Sequence, residues 1–275
     1  MITRPIPSTG EQMPVIGLGT WPVFDVGADD RSRAPLREVV RRLVDGGGAM
    51  LDTSPMYGRS EGVAGDLVSE LGLRSQVFLA TKVWISGRER GVEQMARSAS
   101  LLKTPVIDLM QIHNLVDWRT QLATLRQMKA DGKLRYIGIT HYTTGALPEL
   151  ARILESEDGI DFVQLGYSLA TREPETRLLP VAAARGVAVI VNQPLERGDL
   201  FRAVRGKALP EWAAEFDCAR WAQLFLKYLL GDPAVTVLIP ATNKPDHMAD
   251  NLKAGSGRLP DATQRERIRK MWDGL

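Results

Sequence analysis

Residues 77–80 read Val77-Phe78-Leu79-Ala80, residues 107–112 read Ile107-Asp108-Leu109-Met110-Gln111-Ile112, and residues 136–138 read Tyr136-Ile137-Gly138. A strand with one wet face alternates apolar and polar side chains; near-continuous apolar runs mark strands covered on both faces, as in a parallel sheet. Between these runs lie Val92 to Leu102 and Trp118 to Ala130, where apolar residues recur at spacings of three and four, the period of a helix. Short buried strand, longer amphipathic helix, short buried strand: this is the unit from which the rest of the chain is read.

The unit repeats in both directions. Upstream are strand-like Val15-Ile16-Gly17-Leu18 and Ala49-Met50-Leu51; downstream are Phe162-Val163-Gln164-Leu165, Val187 to Val191 and Val235 to Ile239. The matching helices are Pro35 to Val44, closed by Gly46-Gly47-Gly48, then Gly62 to Leu71, Gly145 to Leu154, Glu175 to Ala184, Glu211 to Leu230 and Pro245 to Leu252. Eight strands alternating with eight helices over about 250 residues is the arithmetic of an α/β, (β/α)8 TIM barrel. A doubly wound open sheet is the alternative, and no G-x-G-x-x-G turn follows any strand to support it. Met1 to Met13 then form an N-terminal cap over the barrel bottom, and Pro260 to Trp272 a C-terminal helix outside the repeat. Residues 1–275 read as one domain.

Composition narrows the function. Of 275 residues, 44% are hydrophobic and 25% charged, an ordinary globular balance. Lys plus Arg number 35 against 33 Asp plus Glu, a net charge of +2 that offers no electrostatic footprint for nucleic acid or an anionic membrane. A single cysteine, Cys218, rules out internal disulfides and cysteine metal cages. No apolar run approaches the ~20 residues of a membrane span, and Met1 to Pro5 lacks the core of a secretory signal. The reading is a soluble, cytoplasmic protein, monomeric or weakly homo-oligomeric, acting on a small molecule.

In such a barrel the chemistry sits where strands run into the loops that follow them. Strand two runs into Asp52-Thr53-Ser54-Pro55-Met56-Tyr57-Gly58-Arg59-Ser60-Glu61, strand three ends in Ala80-Thr81-Lys82, and strand four in Gln111-Ile112-His113. Neighbouring strands lie about 4.8 Å apart, so Asp52, Lys82 and His113 should meet at one rim, with Tyr57 folding back over them. Four titratable groups in one place suggest proton transfer. A tyrosine with a pKa near 10 needs about 4 kcal/mol in favour of its phenolate to act near pH 7. An ammonium about 4 Å away supplies roughly that at an effective dielectric of 20. The expectation is therefore a phenol made acidic by Lys82, with Asp52 holding the ammonium and neutral His113 positioning a substrate oxygen.

Asp52 to Glu61 as D-T-x-x-x-Y-G-x-S-E, Ala80 to Lys82 as A-T-K, Gln111 to Asn114 as Q-I-H-N and the late stretch Ile239 to Leu252 together resemble the aldo-keto reductase family over nearly the whole chain. The resemblance implies NADPH-dependent reduction of an aldehyde or ketone by transfer of the pro-R hydride from nicotinamide C4. It casts Tyr57 as proton donor, Lys82 and Asp52 as its tuning pair, and His113 as the substrate-orienting group. It also implies cofactor contacts from Thr20, Trp21, Asp52, Thr140, His141, Gln164, Asn192, Leu195, Arg197, Thr242, Lys244, His247, Asp250 and Asn251. Thr242, Lys244 and the first amides of the Pro245 helix would make the anion site for the 2′-phosphate.

This chain departs from the pattern in places. His247 stands where the family usually has an arginine on the 2′-phosphate, which admits NADH as well as NADPH. Asn192 replaces the usual aromatic that stacks under the nicotinamide, and Thr140-His141 replace the common Ser-Asn pair. Glu196 falls in the segment that would wrap the pyrophosphate, where a carboxylate repels unless Arg197 neutralises it. Trp21, Phe24, Trp84 and Trp118, each just beyond a strand end, are the candidate substrate pocket. Two other readings stand beside carbonyl reduction: a cofactor-binding regulatory module with little turnover, and a metal-dependent barrel hydrolase built on His113, His141, His247 and Asp52, for which no metal-ligand spacing is present.

Overall fold

The chain opens with a short antiparallel hairpin, β1 (Thr3–Pro5) paired with β2 (Gln12–Pro14), in the computed structural model, which describes residues 1–275. Eight parallel strands follow in chain order around a barrel. They are β3 (Leu18–Gly19), β4 (Met50–Asp52), β5 (Phe78–Val83), β6 (Ile107–His113), β7 (Leu134–His141), β8 (Phe162–Gly166), β9 (Ala188–Asn192) and β10 (Val235–Leu238). The barrel closes where the Gly17 amide donates to Leu238 O at 2.8 Å and the Leu238 amide to Val15 O at 2.9 Å. A side chain at Gly19 would put its Cβ 2.8 Å from Ile239 O, so this seam closes only on glycine. Because Val15 to Gly17 are spent on β10, the first strand is shorter than the apolar run suggests.

Side chains alternate along a strand, and that parity sorts the core. Met50, Phe78, Ala80, Leu109, Tyr136, Phe162, Ala188, Ile190, Val237 and Ile239 fill the barrel, plugged from below by Ile6 and Met13 beside the hairpin. The expected bottom cap is thus present. Thr9 Oγ1 lies 2.8 Å from the Tyr136 hydroxyl, which also donates to Glu11. The intervening residues, such as Leu79, Met110, Ile137 and Val163, face outward into the larger core beneath the helices. Both faces of the barrel strands are largely buried, which is why their runs are nearly continuously apolar.

The outer helices are α1 (Asp30–Asp45), α2 (Ser60–Glu70), α3 (Arg88–Leu101), α4 (Trp118–Ala130), α5 (Leu147–Ser156), α6 (Leu178–Ala184), α7 (Asp199–Ala203), α8 (Trp221–Leu230), α9 (Pro245–Ala254) and α10 (Ala262–Asp273). Most bounds shift from the sequence reading by a few residues, as at α3, which begins at Arg88 rather than Val92, and three places differ more. Helix α1 begins at Asp30, with Asp29 accepting from the Ser32 amide at 2.9 Å, and carries Pro35 inside it. Short α7 follows four backbones of positive φ, at Gln193, Glu196, Arg197 and Gly198, and has no apolar period to announce it. The stretch Glu211 to Leu230 is not one helix. It is a 3-10 turn (Glu211–Phe216), a left-handed Asp217, and then α8. The break is held by polar contacts: the Arg258 amide donates to Asp217 at 2.9 Å, and the Ala219 amide to Gln223 at 2.7 Å. Helix α10 lies outside the repeat as expected, opened by a reciprocal Asp261/Gln264 cap. No helix is long and apolar enough to cross a membrane.

Candidate active site

The parity that packs the barrel also builds the site. Continuing Met50 to Asp52, Phe78 and Ala80 to Lys82, Leu109 to Gln111 and His113, Tyr136 to Thr140, Phe162 to Gln164, and Ile190 to Asn192 keeps each residue on the inner face. Register then sets them side by side: Lys82 opposite Gln111, His113 opposite Thr140, and Thr140 opposite Gln164. An apolar interior below becomes a polar layer at the carboxyl end of the strands.

Asp52 and Lys82 are buried together, with Lys82 Nζ donating to Asp52 Oδ2 at 2.6 Å and to Thr53 O at 2.8 Å. The other carboxylate oxygen of Asp52 accepts from Gln111 Nε2 at 3.1 Å and Gln164 Nε2 at 2.9 Å. Burying two charges is tolerable only when the remaining lone pairs and protons are met in this way. Tyr57 comes from the loop after β4 and sits over the pair, with Lys82 Nζ 5.2 Å from its ring centroid. That loop turns through Gly58 at φ +61°, where a Cβ would stand 2.5 Å from the Asp25 carboxylate. Arg59 closes it by an ion pair to Asp25 at 2.9 Å. The His113 ring meets Tyr57 edge to face at 5.7 Å and Trp84 at 6.3 Å, while its Nδ1 lies 2.9 Å from Ser54 Oγ.

The electrostatics correct one expectation. Burial pushes the Tyr57 phenol above its ordinary value; the Lys82 charge pulls it down, and Asp52 pushes it up again. One ammonium at an effective dielectric of about 20 would lower the phenol, but the desolvation of a half-buried phenolate and the Asp52 charge paired with that ammonium outweigh it. Desolvation opposes the Lys82 charge, but Asp52 and Tyr57 outweigh it, and the ammonium is held above its usual range. His113 is pushed down to about 3, first by burial and then by the Lys82 and His141 charges, so its imidazole is neutral at any ordinary pH.

The sequence model of the Aldo/keto reductase family matches residues 15–273. This chain belongs to that family. It is 30% identical over 233 residues to the aldo-keto reductase YhdN of Bacillus subtilis, covering 78% of this chain and 67% of that one. It is 26% identical over 317 residues to the NADH-specific methylglyoxal reductase of Escherichia coli, covering 94% of each. Among solved structures, an aldo-keto reductase from Klebsiella pneumoniae in complex with NADPH superposes with a TM-score of 0.81 at 24% identity, covering 99% of this chain and 96% of the other.

Within this aldo-keto reductase, the residues assigned by resemblance to a dinucleotide fall in two groups. At the barrel mouth, Asn192 Nδ2 and Thr140 Oγ1 both donate to Gln164 Oε1 at 3.3 Å, and Gln164 in turn holds Asp52. Asn192 thus extends the hydrogen-bond chain under the site instead of offering a stacking face. Thr20 is buried, and His141 stacks on exposed Tyr142 at 5.7 Å. Leu195 is half-buried in the loop after β9. Glu196 is not neutralised by Arg197: it accepts from Ser168 Oγ and Thr171 Oγ1 at 2.6 Å each, and Arg197 lies over the Trp21 ring at 4.5 Å. Two hydroxyls satisfy the carboxylate and leave the guanidinium free for the indole.

The second group surrounds the start of α9. Thr242 is buried and accepts from the Lys244 amide at 3.0 Å, leaving the Lys244 and His247 side chains exposed. Asp250 is engaged by Gln223 Nε2 at 2.6 Å, and Asn251 is buried. Arg42 reaches across from α1 to Asp246 in the first turn of α9 at 2.8 Å.

Of the four aromatics expected to line a pocket, Trp21 and Trp84 are exposed at 39% and 41%. Phe24 is fully buried in the core and Trp118 is only 8% exposed, so neither presents a face to a ligand. Exposed Met56 and Tyr142 stand on the loops after β4 and β7 instead. His113, His141, His247 and Asp52 do not gather: no three His, Cys, Asp or Glu side chains are grouped to hold a metal ion. Sequence reasoning missed the supports, Ser54 under His113 and Gln111 under Asp52. Inward parity along β6 could have flagged Gln111.

Proposed function

We propose that this chain reduces the carbonyl of a small aldehyde or ketone to the alcohol with NADPH or NADH, Tyr57 donating the proton and His113 orienting the carbonyl oxygen. The observation that carries the reading is the fully buried Lys82–Asp52 pair directly beneath the Tyr57 ring, beside an imidazole kept neutral. The relatives' names, one tied to NADH and methylglyoxal and one structure to NADPH, agree with this class of reaction and with either dinucleotide.

The residues present suit such a cofactor. Buried Thr20 Oγ1 and Asn192 Oδ1 have no hydrogen-bond partner, an arrangement that costs free energy unless an outside group with N–H donors supplies one. A carboxamide is such a group, so Thr20 and Asn192, with Thr140 and Gln164, would hold the nicotinamide end. Arg197 and Leu195 would lie along the middle, and Thr242, Lys244, His247 and the α9 amides would face the far phosphate. When bound, the dinucleotide supplies the hydride.

The chain's own part is proton management. With its pKa raised, Tyr57 is protonated at neutral pH, as an acid must be before it acts. As negative charge develops on the carbonyl oxygen, the Tyr57 hydroxyl gives up its proton, and the phenolate left behind faces the Lys82 ammonium. Asp52, itself held by Gln111 and Gln164, fixes that ammonium in place, so the stabilisation needs no reorganisation at the moment of transfer. Neutral His113 can donate to the same oxygen without competing for the proton. Exposed Trp21, Met56, Trp84 and Tyr142 around the mouth suit an uncharged, partly apolar substrate. The test is Tyr57→Phe, assayed by carbonyl reduction over a panel of aldehydes and by NADPH binding. Turnover should fall while binding stays within about twofold; equal loss of both would make Tyr57 a structural residue.

A further inference from the structure

Ser54 is fully buried and sits between two partners, the Met56 amide at 3.2 Å and His113 Nδ1 at 2.9 Å. Its oxygen accepts from the Met56 N–H, which leaves the hydroxyl proton to be placed. A hydroxyl donates once, and His113 Nδ1 is the only acceptor within hydrogen-bond reach of it. If Nδ1 carried the imidazole proton instead, the ring would donate to Ser54 and the serine proton would be buried without an acceptor. An orphaned buried donor costs free energy that the first arrangement does not. Burial and the Lys82 charge keep the ring neutral, so it holds one proton and a tautomer must be chosen. His113 Nε2 has no hydrogen-bond partner in the protein, and the ring stands between Tyr57 and Trp84 at the mouth of the barrel.

We infer that Ser54 is a positioning residue that donates to His113 Nδ1 and so holds the neutral imidazole as its Nε2–H tautomer, with that N–H free to donate to a carbonyl oxygen. The inference rests on the role proposed above for His113 only in its last clause; the choice of tautomer stands on the Ser54 geometry alone. The wrong tautomer would turn a lone pair toward the substrate oxygen, repelling it where a donor should attract. Ser54 accordingly sets the sign of the interaction that His113 makes, without touching the substrate itself.

The experiment is nitrogen-15 NMR of histidine-labelled protein, with the His113 resonances assigned by the His113→Asn variant. The wild type should show His113 neutral from pH 5 to 8 with Nε2 protonated and Nδ1 bare. Ser54→Ala should move the ring toward the Nδ1–H form or a mixture, and Ser54→Thr, which keeps the hydroxyl, should restore the wild-type pattern. Carbonyl-reduction kcat should fall about tenfold in Ser54→Ala, the scale of one neutral hydrogen bond, and recover in Ser54→Thr, with NADPH binding unchanged in both. A wild-type His113 protonated at Nδ1, or a tautomer unaltered in folded Ser54→Ala, overturns the inference. A tautomer that shifts in Ser54→Ala with no change in kcat upholds the role of Ser54 and overturns instead the carbonyl-orienting role of His113.

Discussion

Replacing Lys82 by methionine removes the ammonium while keeping most of the side-chain volume, and its effect on Tyr57 can be worked from the geometry. Lys82 Nζ lies 5.2 Å from the Tyr57 ring centroid. At an effective dielectric of 20, a unit charge at that range favours the phenolate by about 3 kcal/mol. The Asp52 carboxylate, 2.6 Å from the same nitrogen, cancels part of this, so about 1.5–2.5 kcal/mol of that preference should be lost. Alcohol oxidation is the sensitive direction, because there Tyr57 must first be a phenolate. The rising limb of kcat/KM against pH should move up in Lys82→Met. At a pH below both limbs the rate should fall about 10- to 100-fold. Leaving Asp52 buried without its partner costs about 3–5 kcal/mol, so thermal melts must accompany the kinetics. The double variant Asp52→Asn/Lys82→Met, free of buried charge, should regain much of that stability and still show a displaced limb. A folded Lys82→Met enzyme whose limb has not moved, or has moved down, would refute the electrostatic role given to Lys82.

Tyr57→Phe should lower carbonyl reduction by about 10²- to 10⁴-fold, the usual weight of a positioned general acid, with NADPH binding little changed by fluorescence titration. His113, pushed down to about 3 in the fold from an ordinary value near 6.5, is neutral when folded and protonated when unfolded below that pH. Its contribution to stability is complete above about pH 6.5 and is lost as the pH falls toward 3, the loss reaching about 2 kcal/mol at pH 5. Urea midpoints of the wild type should therefore drop between pH 7 and 5 by more than those of His113→Asn; parallel drops would count against a buried neutral imidazole. His247→Arg should tighten NADPH much more than NADH, and an unchanged ratio of the two dissociation constants would mean that this side chain does not reach the 2′-phosphate.

The barrel was legible in the sequence because burial on both faces of a parallel sheet imposes near-continuous apolar runs, from Val77 to Ala80 through Val235 to Ile239. The residues at the rim were legible for a related reason: once a strand's end is located, alternation fixes which of its side chains points inward, so Asp52, Lys82 and His113 follow from local pattern alone. Helix α7 and the break at Asp217 were not, since both rest on left-handed backbones, and the break is held besides by the distant Arg258. Aromatic residues after a strand end likewise carry no mark of where they will pack, and Phe24 and Trp118 went into the core while Trp21 and Trp84 stayed at the mouth.

By itself, then, the sequence determined the order of strands and helices, the family and the set of side chains delivered to one end of the barrel, because these depend on periods and on neighbours along the chain. Tertiary structure alone decided the state those side chains adopt. Burial raised the Tyr57 phenol and neutralised His113, hydroxyls of Ser168 and Thr171 took the Glu196 carboxylate from Arg197, and Gln111, Gln164 and Asn192 joined into a chain of hydrogen bonds under Asp52. Desolvation and hydrogen-bond pairing are properties of the space around a group, and that space is assembled from residues more than a hundred positions apart, as when Gln164 meets Asp52.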